Sequence, residues 1–288
     1  MALFDFTLKL FEDIDLFSDQ GEPVLHWFGL TDAYYHVNVG DEQLFRYTPE
    51  IEEYWCKEYP DNKRTSPFVD YNVIRLYEDL LEILPTILQP LPDEIHTFVS
   101  TRDAQDQWFG ALRNKFDLII DASEDVTEEG EDESFDDLED IFWDATGWWG
   151  DRQLPTNHLQ MGPDIWIWRY QDDVYIRWNC DEKSENGIPF WTADKGEFKL
   201  SFDDFLIEVY DFHDRLMSGM AERIEQLKIS NPIPHIRMDL EGVTREHEIR
   251  KKSLEEVLGK TPVNKNWDAV MQAYIDFKAL NVGEIFRK

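Results

Sequence analysis

Cysteine is nearly absent from this 288-residue chain: only Cys56 and Cys180 occur, far apart in sequence. Two thiols leave one disulfide open but do not make the framework of a small secreted protein. Basic residues are short as well, with 28 Lys and Arg against 61 Asp and Glu and a formal charge of −33. A surface of that sign repels a phosphate backbone, which excludes direct nucleic-acid binding. No apolar run approaches the roughly 20 residues that a membrane span needs. Met1-Ala2-Leu3-Phe4-Asp5 lacks the basic start of a secretory leader, and acids interrupt its apolar residues. The expected location is the cytoplasm, with no membrane partner.

Catalytic signatures are missing too. Gly259-Lys260-Thr261 resembles the end of a phosphate-binding loop, but Leu254 stands where that loop needs its first glycine. The chain has no glycine-rich dinucleotide turn, no Gly-x-Ser-x-Gly elbow and no His-Glu-x-x-His pair. His247, between Glu246 and Glu248, is expected on a solvated helix face. Phe212-His213-Asp214 sets an imidazole beside a carboxylate, as a general base requires. On a helix built for packing, however, a hydrogen-bonded structural histidine is the expectation. The chain therefore reads as no enzyme, with no cofactor and no metal.

Aromatics are plentiful. With 42% hydrophobic residues, 19 Phe, 11 Trp and 11 Tyr, the chain can bury a core despite its charge. Fifteen of the acids lie between Asp117 and Asp151, a stretch without Lys or Arg. Three readings of this charge compete: solubility, salt adaptation, and steering toward a basic protein. The aromatic content and scattered lysines argue against the second.

Hydrophobic periodicity predicts an α+β fold. Alternation at Phe4, Phe6, Leu8 and Leu10 predicts a strand, followed by Val24–Phe28, Tyr34–Val39 and Gln43–Tyr47 as a small meander. Ile74, Tyr77, Leu80 and Leu84 predict a helix capped by Asp70 and kinked or ended by Pro85. Another helix carries Trp108 and Leu112. Residues 121–133 read as a solvated loop, and Ser134 with Asp137 reads as a capping box before an amphipathic helix. Ile165–Trp168 and Val174–Trp178 predict a hairpin, with shorter strands at Pro189–Thr192 and Phe198–Leu200. Ser201 with Asp204 opens the longest helix, striped by Phe205, Val209, Phe212, Leu216, Met220, Ile224 and Leu227. Two more helices cover Arg245–Leu258 and Asn266–Leu280.

This order gives two lobes of antiparallel sheet packed on amphipathic helices: residues 1–120, an acidic loop and helix over 121–160, and residues 161–288. Trp27 and Tyr34 are spaced like Trp168 and Tyr175, each pair across an Asp-bearing turn. That is the pattern of an internal duplication, although hairpin-plus-helix is also a common unit.

The candidate partner-binding residues follow from the acid run and its neighbouring tryptophans. Its first part holds Glu124, Asp125, Glu128, Glu129, Glu131, Asp132 and Glu133. The helix behind it adds Asp136, Asp137 and Asp140, with Trp143, Trp148 and Trp149 as aromatic anchors. Acids speed association with a basic protein while buried aromatics slow its departure. Trp143, Trp148, Trp149, Trp166, Trp168 and Trp178 among carboxylates also suit a second reading, a sugar-binding cleft or glycosidase. Arg46, Arg75, Glu78 and Asp79 are expected to be internal ion-pair partners, with a small anion pocket as the alternative.

Leu25–Asp32, Leu44-Phe45-Arg46-Tyr47 and Arg75–Asp79 with Glu82-Ile83-Leu84-Pro85 together resemble a bacterial domain family of unknown function. Trp166–Arg169, Asp173–Trp178 and the helix holding Glu208-Val209 are similar to its second half. The likeness covers most of the chain, the acidic insert around Glu124–Glu133 excepted, and brings no catalytic residues with it. Acidic proteins of this kind are similar in size and style to immunity proteins that neutralise antibacterial toxins. The expected function is a cytosolic immunity or antitoxin-like protein that neutralises a basic toxin domain. The alternative is a carbohydrate-active enzyme or sugar-binding module.

Overall fold

A computed structural model describes residues 2–60, 65–124, 133–260 and 263–280. The alternating residues at the start form β1 (Phe4–Leu8). β2 (Phe17–Asp19) and β3 (Glu22–Val24) make a separate short hairpin. The predicted strand over Val24–Phe28 is not there. Gly29–Thr31 forms a 3-10 turn instead, closed by the Thr31 amide and hydroxyl on the Phe28 carbonyl. Leu25 and Phe17 pack so close to Gly29 that a Cβ there would lie 2.7 Å from Leu25 Cδ1. Trp27 therefore sits fully buried ahead of the turn and does not pair with Tyr34.

β4 (Asp32–Val39) is the centre of the first main sheet. It pairs antiparallel with β1 along one edge, placing Phe6 opposite Tyr35. β5 (Glu42–Leu44) covers one end of the other edge. α1 (Pro49–Glu58) then starts where Thr48 accepts the Ile51 amide and Pro49 supplies a preset first-turn angle. The chain returns as β6 (Val69–Asn72), antiparallel to β4, and turns directly into α2 (Val73–Leu88). Asp70, the expected cap, lies within β6, and Asn72 holds the cap position. Pro85 does not end α2, which runs on to Leu88. Burial of Ile83, Leu84 and Ile87 outweighs the roughly 3 kcal/mol that an interior proline costs a helix.

After the short α3 (Asp93–His96), α4 (Arg102–Glu124) and α5 (Glu133–Gly150) form an antiparallel pair. Phe116 stacks on Phe142 at 4.2 Å, and Trp108 meets Trp148 at 5.2 Å. α5 is already under way at Ser134, so that residue is not its cap. Arg152 is buried at the ends of two helices, donating to the Trp148 carbonyl of α5 and the Thr86 carbonyl of α2. A guanidinium there meets the negative ends of both helix dipoles.

The second half opens with the predicted hairpin. β7 (Asp164–Tyr170) and β8 (Asp173–Asn179) pair with Trp168 opposite Tyr175, and β9 (Lys195–Ser201) completes a three-stranded meander. Pro189–Thr192 makes isolated bridges, Pro189 to Lys183 and Trp191 to Tyr47, in place of a strand. Ser201 caps α6 (Phe202–Ser230) by accepting the Asp204 amide, and every residue of its predicted stripe is buried. The helix expected over Arg245–Leu258 is two, α7 (Leu240–Arg250) and α8 (Ser253–Leu258). The Ser253 hydroxyl takes the Arg250 carbonyl that a continuing helix amide would use. α9 (Trp267–Ala279) packs against α5.

These antiparallel sheets packed on helices make an α+β protein. The apolar residues do not divide at 120 and 161. One core cluster runs from Leu3 to Leu254, joining both sheets through α2 and α6. A second gathers Trp108, Phe116, Phe142 and Phe277 from α4, α5 and α9 and reaches Trp168 on β7. Arg177 of β8 fixes this second cluster to the sheet, donating to Gln105 and Glu197 and to the Val99 carbonyl. Both cysteines are free, and burial pushes the Cys180 thiol up to about 12.

Candidate functional site

α5 has two unlike faces. Leu138, Phe142, Ala145 and Trp149, spaced by four, three and four, are all buried. On the outer side Asp137, Asp140, Trp143 and Asp144 are exposed. Trp143 is 51% exposed, and its Nε1 donates to Glu139 one turn back at 3.1 Å. Among the described residues, no lysine or arginine pairs with Asp137, Asp140 or Asp144. An indole held upright among unneutralised carboxylates offers apolar area, a cation-π face and charge to a basic surface.

The other candidate residues divide. Trp148 and Trp149 are core: Trp148 donates to the Ala145 carbonyl, and Trp149 stacks on Trp166 at 5.7 Å. They hold α5 in place and present nothing to a partner. Residues 125–132, with Asp125, Glu128, Glu129, Glu131 and Asp132, lie outside the described residues, as do the side chains of Glu124, Glu133 and Asp136. The expected tryptophan and carboxylate cleft has no open row of rings, since Trp148, Trp149, Trp168 and Trp178 are all buried.

Arg46, Arg75, Glu78 and Asp79 each have a partner of their own. Arg75 pairs with Asp79 one turn on at 2.9 Å, Arg250 binds Glu78, and Arg46 donates to Gln43 at 3.0 Å. Asp79 is 1% exposed, and burial pushes its carboxyl up to about 6 despite Arg75. His158 Nδ1 lies 3.6 Å from Asp79, and its Nε2 is 3.3 Å from the Tyr35 hydroxyl. Burial first, then Arg75, drives His158 down to about 4, so near neutrality a neutral imidazole faces Asp79. His158 carried no signal in sequence; it stands in a loop far from its partners.

Two histidines line a cleft of 430 Å³ between α6 and α7–α8. His213 Nδ1 lies 2.6 Å from the Tyr77 hydroxyl, which also contacts Ser253, as a satisfied structural histidine would. His247 is not on a solvated face. It is 4% exposed, stacked near Trp27 at 6.2 Å, with neither ring nitrogen hydrogen-bonded. Val243 and His247, four residues apart, form the inward face of α7, and that spacing was the missed signal. Burial lowers both histidines.

Asp15, Asp32 and Asp70 cluster closely enough to suit a cation. Lys9 already serves there, with its ammonium 3.1 Å from Asp32 and 3.3 Å from Asp15 and bonded to Asp70. Burial alone would lower its pKa, but Asp70 and Asp32 hold it above the usual lysine range. Among the described residues, no helix is long and apolar enough to cross a membrane.

The chain matches the model of a family described as Family of unknown function (DUF5984) over residues 3–273 and belongs to that family. Neither a curated protein nor a solved structure matches it.

Proposed function

We propose that this member of the family is a binding protein that captures a basic protein partner on the outer face of α5. The reading is that of a cytoplasmic immunity or antitoxin-like inhibitor, neutralising a basic toxin domain by occluding it. The observation that carries it is Trp143, half exposed among Asp137, Asp140 and Asp144, on a chain of charge −33. Large exposed rings usually bury themselves; one kept outward beside unpaired acids suits a lysine- or arginine-rich surface. The acids raise the encounter rate, and the ring supplies the short-range contact that slows dissociation.

The test is co-expression with a basic toxin domain encoded beside this gene, read as survival and as co-purification. Wild type should protect and Trp143→Ala should lose most of the protection while folding normally. Equal protection by both would place the interface elsewhere, and failure of wild type to bind any such domain would end the toxin reading.

A further inference from the structure

A second, aromatic-lined cleft has no lining residue on α5. It measures 540 Å³ and lies between α1 and two later loops. Tyr54, Trp55 and Tyr59 of α1 and its C-terminal cap form one wall, with Tyr47 and Phe190 beneath. Gln160, Ser184, Glu185 and Asn186 supply the polar side. The volume falls within the roughly 300–1,000 Å³ typical of small-ligand sites.

The walls are fixed by contacts of their own. Tyr47 stacks on Trp191 at 4.7 Å, and Trp55 meets Tyr47 and Phe190 edge-on at 4.9 and 5.4 Å. Thr48 ties α1 to the opposite segment: its hydroxyl donates to the Pro189 carbonyl and its amide to the Phe190 carbonyl. The Met161 carbonyl accepts Trp191 Nε1 at 2.7 Å. The Ser184 hydroxyl accepts the Ile188 amide, and Gly187 turns the loop tip at φ +75°. A side chain at Gly187 would strain that angle. This tip leaves Glu185 and Asn186 exposed. Tyr59 is exposed too, at 61%.

We propose that this cleft binds a neutral carbohydrate. Sugar rings have apolar C–H faces that lie on aromatic faces, and hydroxyl edges that need planar amide and carboxylate groups able to donate and accept. Tyr and Trp on one side with Gln160, Asn186 and Glu185 on the other meet both needs. Among the described lining residues Glu185 is the only charged one, so phosphorylated and acidic sugars are disfavoured. A proline-rich peptide also docks on Tyr and Trp, but through parallel apolar ridges and with less use for a polar wall. Among the described lining residues one carboxylate is too few for the paired acid and base of glycoside hydrolysis, so the proposal is one of binding. The proposal is independent of the α5 reading.

The full-length protein is screened on an array of neutral and acidic glycans. Neutral disaccharides that score, with a proline-rich decapeptide as competitor class, are titrated by tryptophan fluorescence and calorimetry. Tyr59→Ala and Asn186→Ala, both exposed, should keep the wild-type melting temperature and weaken a neutral sugar about tenfold each, near 1.4 kcal/mol. Trp143→Ala should bind sugar as wild type does. No saturable neutral sugar, preference for acidic glycans, preference for the peptide, or sugar affinity untouched by both cleft variants would each overturn the proposal.

Discussion

The β4 and β8 sheets are built alike and read differently from sequence. Each centres on an antiparallel trio, β1-β4-β6 and β7-β8-β9, to which the first sheet alone adds a fourth strand, β5; in each trio the last strand turns at once into a helix, α2 or α6. Each helix packs on its own central strand and on the first strand of the other unit: α2 on β4 and β7, α6 on β8 and β1. The two units therefore interlock. In the β8 unit the two-residue turn Gln171-Asp172 sets the β7–β8 register, and the centres of both strands and the Ser201 cap were legible from local spacing, although β9 follows only after a longer loop. In the β4 unit, β6 arrives after a 29-residue excursion through β5 and α1, and local periodicity gives no sign of its partner. The lesson is that order was legible where the contacts are local. Shared connectivity supports a duplication, but not through Trp27 and Tyr34, which do not pair.

The largest expected effect tests the interlock. Phe212 of α6 stacks on Phe4 of β1 at 5.2 Å and meets Tyr77 of α2 at 5.6 Å. Phe212→Ala should cost about 3–5 kcal/mol. Both units should still unfold in one transition, with tryptophan fluorescence and far-ultraviolet dichroism coincident. Two separated transitions would mean that the units are independent.

A smaller effect is peculiar to the β4 unit, which holds Asp79 and His158 together inside. Asp79 is raised to about 6, so the folded state holds its proton longer than the unfolded chain. Its contribution to stability falls as pH rises from about 4 to 6. His158 is lowered to about 4, so its contribution rises across much the same window and is lost on acidification. The two nearly cancel. Asp79→Asn removes the falling part, so its stability relative to wild type should climb by about 2–3 kcal/mol between pH 4 and 6, by denaturant titration at each pH. A flat difference would place the Asp79 pKa near its ordinary value. His36, His96, His213 and His247 are also lowered by burial, so each contributes stability that is lost as pH drops below about 6.5, opposed by Asp32 and Asp164, whose raised carboxyls act the other way.

The helix starts differ more finely. Ser201→Ala should destabilise by about 1 kcal/mol, since it removes the bond from the Asp204 amide. α2 has no side-chain cap bond, and its start rests on burial of Val73 and Ile74. A cost near zero for Ser201→Ala would mean that α6 too is held by burial alone.

The candidate site was half legible. The acid run and the amphipathic stripe of α5 could be read from spacing, and Leu138 and Phe142 point inward as their positions require. What spacing did not reveal was which tryptophan stays outside. Trp148 and Trp149 fill the junction with α4 and β7, contacts far away in sequence. The aromatic wall of α1 was missed because its meaning depends on Phe190 and Asn186, more than a hundred residues later. His247 was misplaced because the charge of its neighbours outweighed the pairing with Val243.

The acid face offers the smallest change in stability and the clearest test of function. Asp137→Asn, Asp140→Asn and Asp144→Asn together should leave stability within about 0.5 kcal/mol or raise it slightly, because they relieve repulsion on an exposed face. The decisive measurement is stopped-flow association of the basic partner with wild type, this triple variant and Trp143→Ala over a salt series. On the α5 reading, the triple variant associates several-fold more slowly at low salt. That gap should close as salt shortens the screening length from about 30 Å at 0.01 M to 3 Å at 1 M. Trp143→Ala should mainly speed dissociation, by about tenfold or more. Identical rates for all three proteins at low salt would contradict that reading and reduce the acidic face to a solubility device.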